Sequence, residues 1–280
     1  MIDLELNSST DLKREGKSFY WASFFLPKSS KKNAGILYSI CRYFDDIADK
    51  HSQDQSNYLK NSIEEIKNNK NNKVNVFLKK NNIDNAILID LIDGLILDQK
   101  NIRIQNKEEL IKYSYHVAGT VGLMMSKILM VDNKRALKGA IDLGIAMQLT
   151  NIARDVIEDK KMNREYIKPD FENIQATLKL ADMFYESSFS SIKSIPFKYR
   201  FAIIVARRVY RQIGRKILNK RNMVNYEKAG KIYINNLGKI LQTVLSTFDL
   251  IILFLKDIEP HQRKIEHEII SEDVNLDERI

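Results

Sequence analysis

Apolar residues recur every three or four positions along almost the whole chain, and no long stretch alternates apolar with polar. The first pattern marks helices with one buried face; the second, absent here, would mark strands. The chain therefore reads as all-α. Ser8, Ser9 or Thr10 can cap a first helix that ends before Pro27, and Ser29 or Ser30 can cap a second that reaches about Lys50. A helix near 57–67 precedes an Asn/Lys-rich break, NNKNNK at 68–73. Further helices are expected over 84–97, 107–130, 133–160, 171–192, 196–221 and 227–256, followed by a charged, loosely held tail over 260–280. A chain of 280 residues can bury all of this in one domain, 1–280.

Composition narrows the picture. Glycine (10) and proline (4) are scarce, which argues against a loop-rich β design. The formal net charge of +9 suits an anionic partner, whether phosphorylated substrates or a membrane surface, and equally a solvated surface rich in lysine. Basic and aromatic residues are nowhere interleaved as a nucleic-acid groove requires, so no nucleic acid is expected. Cys41 is the single cysteine, which fits a reducing compartment. The opening MIDLELNSSTDLKRE has no apolar segment of the secretory kind, and a cytoplasmic location is expected. The most apolar run, Leu250 to Leu255, is far shorter than the ~20 residues of a membrane span. It is either a buried helix end or a point of peripheral membrane contact.

Two acidic segments carry the candidate chemistry. In Arg42-Tyr43-Phe44-Asp45-Asp46-Ile47-Ala48-Asp49, Asp45 and Asp49 are one helical turn apart on the same face. Their repulsion calls for a cation, either a basic side chain or a hard divalent ion such as Mg²⁺. Such a pair is also common on solvated faces. In the second segment Gln148, Asn151, Asp155 and Asp159 form one polar stripe through a largely apolar helix. A stripe of that kind is buried, and buried polar groups need partners. A metal–diphosphate cluster and an interhelical hydrogen-bond network both meet that need. Two carboxylate stripes facing each other across a bundle are how helical proteins build metal sites. Arg42, Arg154, Arg164 and Tyr166 flank the stripes, and an Arg fork matches phosphate oxygens, though each Arg could also make an ordinary surface ion pair.

At this point longer runs become recognisable. KSFYWASFFLP (17–27), YSICRYFDDIADK (38–50), YSYHVAGTVGLMM (113–125), LGIAMQLTNIARDVIEDKKMNREYI (143–167) and ARRVYRQIGRKI (206–217) resemble, in order, the motifs of the squalene/phytoene synthase family, bacterial phytoene branch. The resemblance spans about residues 13–245. It implies an all-α isoprenoid synthase bundle with a central cavity, condensing two prenyl diphosphates head to head. Phytoene from two geranylgeranyl diphosphates is the implied product. Farnesyl diphosphate condensation to squalene or dehydrosqualene, or a helical assembly factor on the same fold, are the alternatives.

By the same matching, several Mg²⁺ ions, for which Mn²⁺ can substitute, would be held by Asp45, Asp49, Asn151, Asp155 and Asp159. Arg42, Arg154, Tyr166 and Ser18 would contact diphosphate, with Arg164 beside them. Tyr113, Val117, Ala118, Gly122 and Gln148 would line the prenyl cavity, and Phe19 and Tyr113 could face passing carbocations. No NADPH is expected if phytoene is the product. The chain departs from its relatives at Glu15 and Gly16, where they often carry His or Ser, and phosphate binding is not carried onto those two. Gly119 and Gly122, costly inside a helix, admit close approach of a ligand or of another helix. His116 beside them reads as a satisfied core or edge histidine.

Overall fold

A computed structural model describes residues 2, 4, 10–50, 52–99, 102–257 and 260–280. Ser8 and Ser9, the expected first caps, lie outside the described residues. Fifteen α-helices follow in chain order: α1 (Thr10–Arg14), α2 (Lys17–Ser23), α3 (Lys28–Ala48), α4 (Gln53–Lys67), α5 (Lys73–Lys80), α6 (Asn85–Asp98), α7 (Lys107–Ser114), α8 (Thr120–Ile128), α9 (Lys134–Lys161), α10 (Phe171–Ser191), α11 (Phe197–Leu218), α12 (Met223–Ala229), α13 (Asn236–Leu255), α14 (Lys264–Ser271) and α15 (Leu276–Arg279). A π-helical turn, Tyr115–Gly119, joins α7 to α8. Among the described residues there is no strand, only an isolated bridge between Arg103 and Glu165.

Side-chain caps set many of the helix starts. Asn72, Asp84, Asn106, Asn133, Asp170 and Asn235 each accept a hydrogen bond from a backbone N–H of the first turn of α5, α6, α7, α9, α10 and α13. The helices differ from expectation in four places. The first long helix breaks at Glu15–Gly16 into α1 and α2, and α3 starts after Pro27 instead of at Ser29 or Ser30. A short helix, α5, fills the stretch after the Asn/Lys break because Val74, Phe77 and Leu78 bury one face. The expected helix over 227–256 is two, because Gly230 takes φ +58 at the end of α12, a conformation that L side chains rarely adopt.

The 28-residue α9 runs through the middle, packed against α8, α10, α11 and the π turn. Ile141, Ile145, Leu149 and Ile152 on it are fully or almost fully buried. Close approach of α8 is set by Gly122, whose added Cβ would sit 2.2 Å from the Ala140 carbonyl oxygen of α9. Of the two readings of that glycine, helix packing is the one that demands it. His116 donates from Nδ1–H to the Asp90 carbonyl at 2.9 Å, as a satisfied edge histidine does.

The tail is docked, correcting the expectation that it hangs loose. Lys112 pairs with Glu272 at 2.9 Å and Asp273 at 3.1 Å, and Arg279 grips Asp90 through two nitrogens at 2.8 and 3.1 Å. His267 and Ile270 are buried. Charge alone suggested solvation, but each of these charges has a partner on α6 or α7.

α13 is amphipathic in the inverted sense. Its buried face carries Lys239, Gln242, Ser246 and Asp249, and Asp249 pairs with Arg208 of α11 at 2.6 Å. Its outer face exposes Leu237, Leu241, Val244, Phe248, Ile251 and Leu255. Leu253 is the one residue of the Leu250–Leu255 run that is buried, so that run is not a buried helix end. α13 is also the one described helix long and apolar enough to cross a membrane, yet the polar groups on its inner face are engaged with the bundle.

Candidate active site

A cavity of about 1010 Å³ opens between α2, α3, α6, the α7–α8 region, α9 and α11. One end is apolar, with Val117, Val121, Met125, Leu143, Met147 and Ile203 among its lining residues. The other end is polar, and both acidic motifs meet there. Asp45 and Arg42 come from α3; Gln148, Asn151, Arg154, Asp155 and Asp159 come from α9; Arg164 and Tyr166 come from the loop after it. Ser18, Phe19, Tyr113, Ala118 and Gly122 also line the cavity. Of the residues that the resemblance implies as metal, diphosphate or cavity contacts, Asp49 alone does not. It caps the C-terminal end of α3 at the rim and accepts a 2.8 Å hydrogen bond from Arg164. That ion pair ties the end of the first motif to the loop that follows the second.

The loop is held in place by backbone pairing. Glu165 donates to the Ile102 carbonyl at 2.9 Å, and Ile104 donates to the Glu165 carbonyl at 3.0 Å. This sets Arg164 and Tyr166 on either side of the bridge, facing α3 and α6. Tyr166 stacks on Tyr113 with ring centroids 4.8 Å apart, and both hydroxyls donate to Asp98, at 2.7 Å from Tyr166 and 2.9 Å from Tyr113. Asp98, at the C-terminal end of α6, lines the cavity and was not anticipated. The available signal was a lone carboxylate ending the apolar run Leu95–Leu97. Lys231, also unanticipated, reaches Asp155 at 3.2 Å from the α12–α13 link. Tyr226, on α12, donates to the carbonyl oxygens of Ala153 and Arg154 and so fixes the middle of the second motif. Phe19 lies 4.9 Å from Tyr210 in the cavity wall.

The electrostatics are those of crowded carboxylates. Burial, then neighbouring Asp49, raise the Asp45 carboxyl to about 7 despite Arg42 at 2.7 Å. Burial, then Asp155, raise Asp159 to about 7. Asp98 adds to both shifts, which places it between the two stripes. Burial also raises Asp98 itself, against the lowering effect of the Tyr166 hydroxyl and Arg164. Arg42 bridges Asp45 and Asp46, and Arg154 makes a two-pronged contact with Asp155 at 2.9 and 2.5 Å. Cys41, also lining the cavity, has its thiol pushed up to about 12 by burial and by Asp45, so it is inert at neutral pH.

The donors suit a hard cation. They are carboxylate and amide oxygens, the set that Mg²⁺ prefers to imidazole or thiolate. The Asn151 side-chain carbonyl oxygen is buried and has no hydrogen-bond partner among the described residues. An orphaned oxygen beside Asp155 and Asp159, and carboxyls raised first by burial and then by neighbouring carboxylates, fit a site of that kind.

Comparison with known proteins points to one family. The squalene/phytoene synthase family model matches residues 12–171. A 15-cis-phytoene synthase from a Paracoccus species is 27% identical over 278 residues, covering 85% of this chain and 91% of that protein. One from Enterobacter agglomerans is 30% identical over 245 residues, covering 72% and 82%. Among solved structures, a dehydrosqualene synthase in complex with ligand superposes with a TM-score of 0.74 at 26% identity, over 85% of this chain and 93% of that one. With more than half its length matched to the family model, and its acidic motifs brought together at one end of an apolar cavity, the chain belongs to the squalene/phytoene synthase family.

Proposed function

We propose that the protein condenses two geranylgeranyl diphosphates head to head, through prephytoene diphosphate, to phytoene. The observation that carries this reading is the cavity itself: large, mostly apolar, and lined also by acidic groups from two helices with Arg42, Arg154, Arg164 and Lys231 among them. At about 1010 Å³ it stands at the top of the range for single small ligands, which suits two chains better than one. Mg²⁺ held by Asp45, Asn151, Asp155 and Asp159, with Asp49 at the rim, would supply charge neutralisation for a departing diphosphate.

The protein's own groups orient and shield. Arginine forks and Lys231 match diphosphate oxygens, and the apolar end aligns the prenyl chains and keeps water from the cationic carbon. Tyr113 and Phe19 line the same space, where an aromatic ring can stabilise a cation through its quadrupole. Tyr113 and Tyr166 are held rigidly by Asp98, so the wall does not yield to the substrate. The exposed apolar face of α13, together with the net charge of +9, supports peripheral contact with an anionic membrane, which would receive a hydrocarbon product.

A second reading rests on the likeness to the dehydrosqualene synthase: two farnesyl diphosphates as substrates. Mass analysis of the hydrocarbon formed from each prenyl diphosphate separates the two. Asp45→Asn and Asp155→Asn should each lower pyrophosphate release by ~100-fold or more while the helical circular dichroism is kept. Full activity in both variants would refute the assignment of the site.

A further inference from the structure

A second cluster of ligating groups lies away from the cavity. Asp142 is fully buried on α9, 13 residues before Asp155 and hence roughly 20 Å along the helix. It is nine residues before Asn151, which turns it to about the opposite side of α9. His261, in the link after α13, places Nε2 2.9 Å from one Asp142 oxygen, and His267 of α14 places Nε2 2.8 Å from the other. The two rings lie 4.3 Å apart, and the three ligand atoms all fall within 4.8 Å of one another. Ser187 of α10 adds a hydroxyl 2.7 Å from Asp142. Both histidines are almost wholly buried.

We infer that Asp142, His261 and His267 form a structural site for a divalent ion of the zinc class, separate from the catalytic aspartates, which clamps the C-terminal tail to α9. The donor chemistry is the first argument. Two imidazoles and one carboxylate select Zn²⁺-like ions, whereas the all-oxygen set in the cavity selects Mg²⁺. Geometry is the second. In a tetrahedral zinc site with bonds of about 2.0–2.1 Å, neighbouring ligand atoms stand roughly 3.4 Å apart. The nitrogen–oxygen separations here need to widen by only about 0.5 Å. The same nitrogen of each ring points at the carboxylate, which leaves one focus for an ion, with Ser187 or a water as fourth ligand. Topology is the third. The ligands come from α9 and from two points of the tail, so the ion would close a loop of more than a hundred residues, the arrangement in which a cross-link constrains the unfolded chain most. His267 Nδ1 is buried with no acceptor among the described residues, so the outer hydrogen bond that usually braces a metal-bound histidine is lacking and binding should be weaker than in a fully braced zinc centre.

The test uses the full-length protein, stripped with a chelator and titrated with Zn²⁺ in competition with a chromophoric chelator. Co²⁺ is the spectroscopic probe in a parallel titration. The expected result is one tight equivalent per chain, visible Co²⁺ bands of four-coordinate type, and a rise in Tm on Zn²⁺ addition. His261→Gln, which changes a link residue outside any helix, and His267→Ala should each weaken binding by ~100-fold or more while Mg²⁺-dependent pyrophosphate release persists. Asp155→Asn should leave the Zn²⁺ equivalent in place. No tight ion on the wild-type protein would overturn the inference and leave Asp142 a carboxylate held by hydrogen bonds alone. An ion lost from Asp155→Asn but retained by both histidine variants would overturn it as well, since it would then sit in the cavity.

Discussion

If Asp45 and Asp159 hold protons up to about 7 in the metal-free protein, cation binding must expel them, and affinity must depend steeply on pH. With both values near 7, each group is ~10% ionised at pH 6 and ~90% at pH 8, so the fraction with both ionised rises from ~1% to ~80%, nearly a hundredfold. Log affinity for Mg²⁺ should therefore climb with a slope near two below pH 7 and flatten above it. Calorimetric titration in two buffers of different ionisation heat counts the protons directly: close to two released at pH 6 and very few at pH 8. Asp45→Asn should remove one of them. The linked effect on stability has a definite sign. Both carboxyls are raised above the ordinary aspartate value, so the folded state binds protons more tightly than the unfolded chain. The stability they confer is complete below pH 3.8 and is lost as pH rises through about 7. The Tm of chelated protein should fall over that window, and Mg²⁺ should restore it at pH 8. A flat affinity between pH 6 and 8 with no proton release would refute the placement of the ions on these groups.

Other outcomes follow from single contacts. Tyr166→Phe deletes a buried hydrogen bond to the Asp98 carboxylate and should cost about 1.5–3 kcal/mol by denaturant titration, along with activity if the Tyr113–Tyr166 wall orients substrate. Gly144→Ala puts a Cβ 2.2 Å from the Ala118 carbonyl oxygen. Backbone must move, so destabilisation at the upper end of about 1–3 kcal/mol is expected, read as a drop in Tm. Leu241→Glu combined with Phe248→Glu changes two exposed residues of α13, and should leave Tm unchanged while cutting co-sedimentation with anionic vesicles at least tenfold, since each buried large apolar side chain is worth about 1.5–3 kcal/mol.

Much of this was legible from spacing. The helical period gave the class, and the 3-4-4 interval from Gln148 to Asp159 placed that stripe on one face, which the structure turns into the cavity. What stayed hidden was whatever depends on distance in space. Asp98 reads as the polar end of an apolar helix; only the fold brings Tyr113 and Tyr166 onto it. Asp142 lies among apolar residues of α9, and nothing nearby in sequence announces two histidines more than a hundred positions later. The tail was misjudged because its charges look solvated until Lys112 and Asp90 supply their partners. For α13 the sequence leaves two readings open because an apolar run is ordinarily the inward face, whereas here the polar side is engaged by Arg208.

The ion pairs of the cavity carry a final consequence. Three guanidiniums of the cavity are each engaged by a carboxylate: Arg42 by Asp45 and Asp46, Arg154 by Asp155, Arg164 by Asp49. On the proposed reading, a cation and a diphosphate would each find some of their groups engaged by those of the other. Arrival of either would release counterparts required by the other, and such coupling is reciprocal by thermodynamic necessity. If the proposed function holds, the resting protein would behave as a two-key lock, in which inorganic ions and prenyl diphosphate each sharpen the grip on the other.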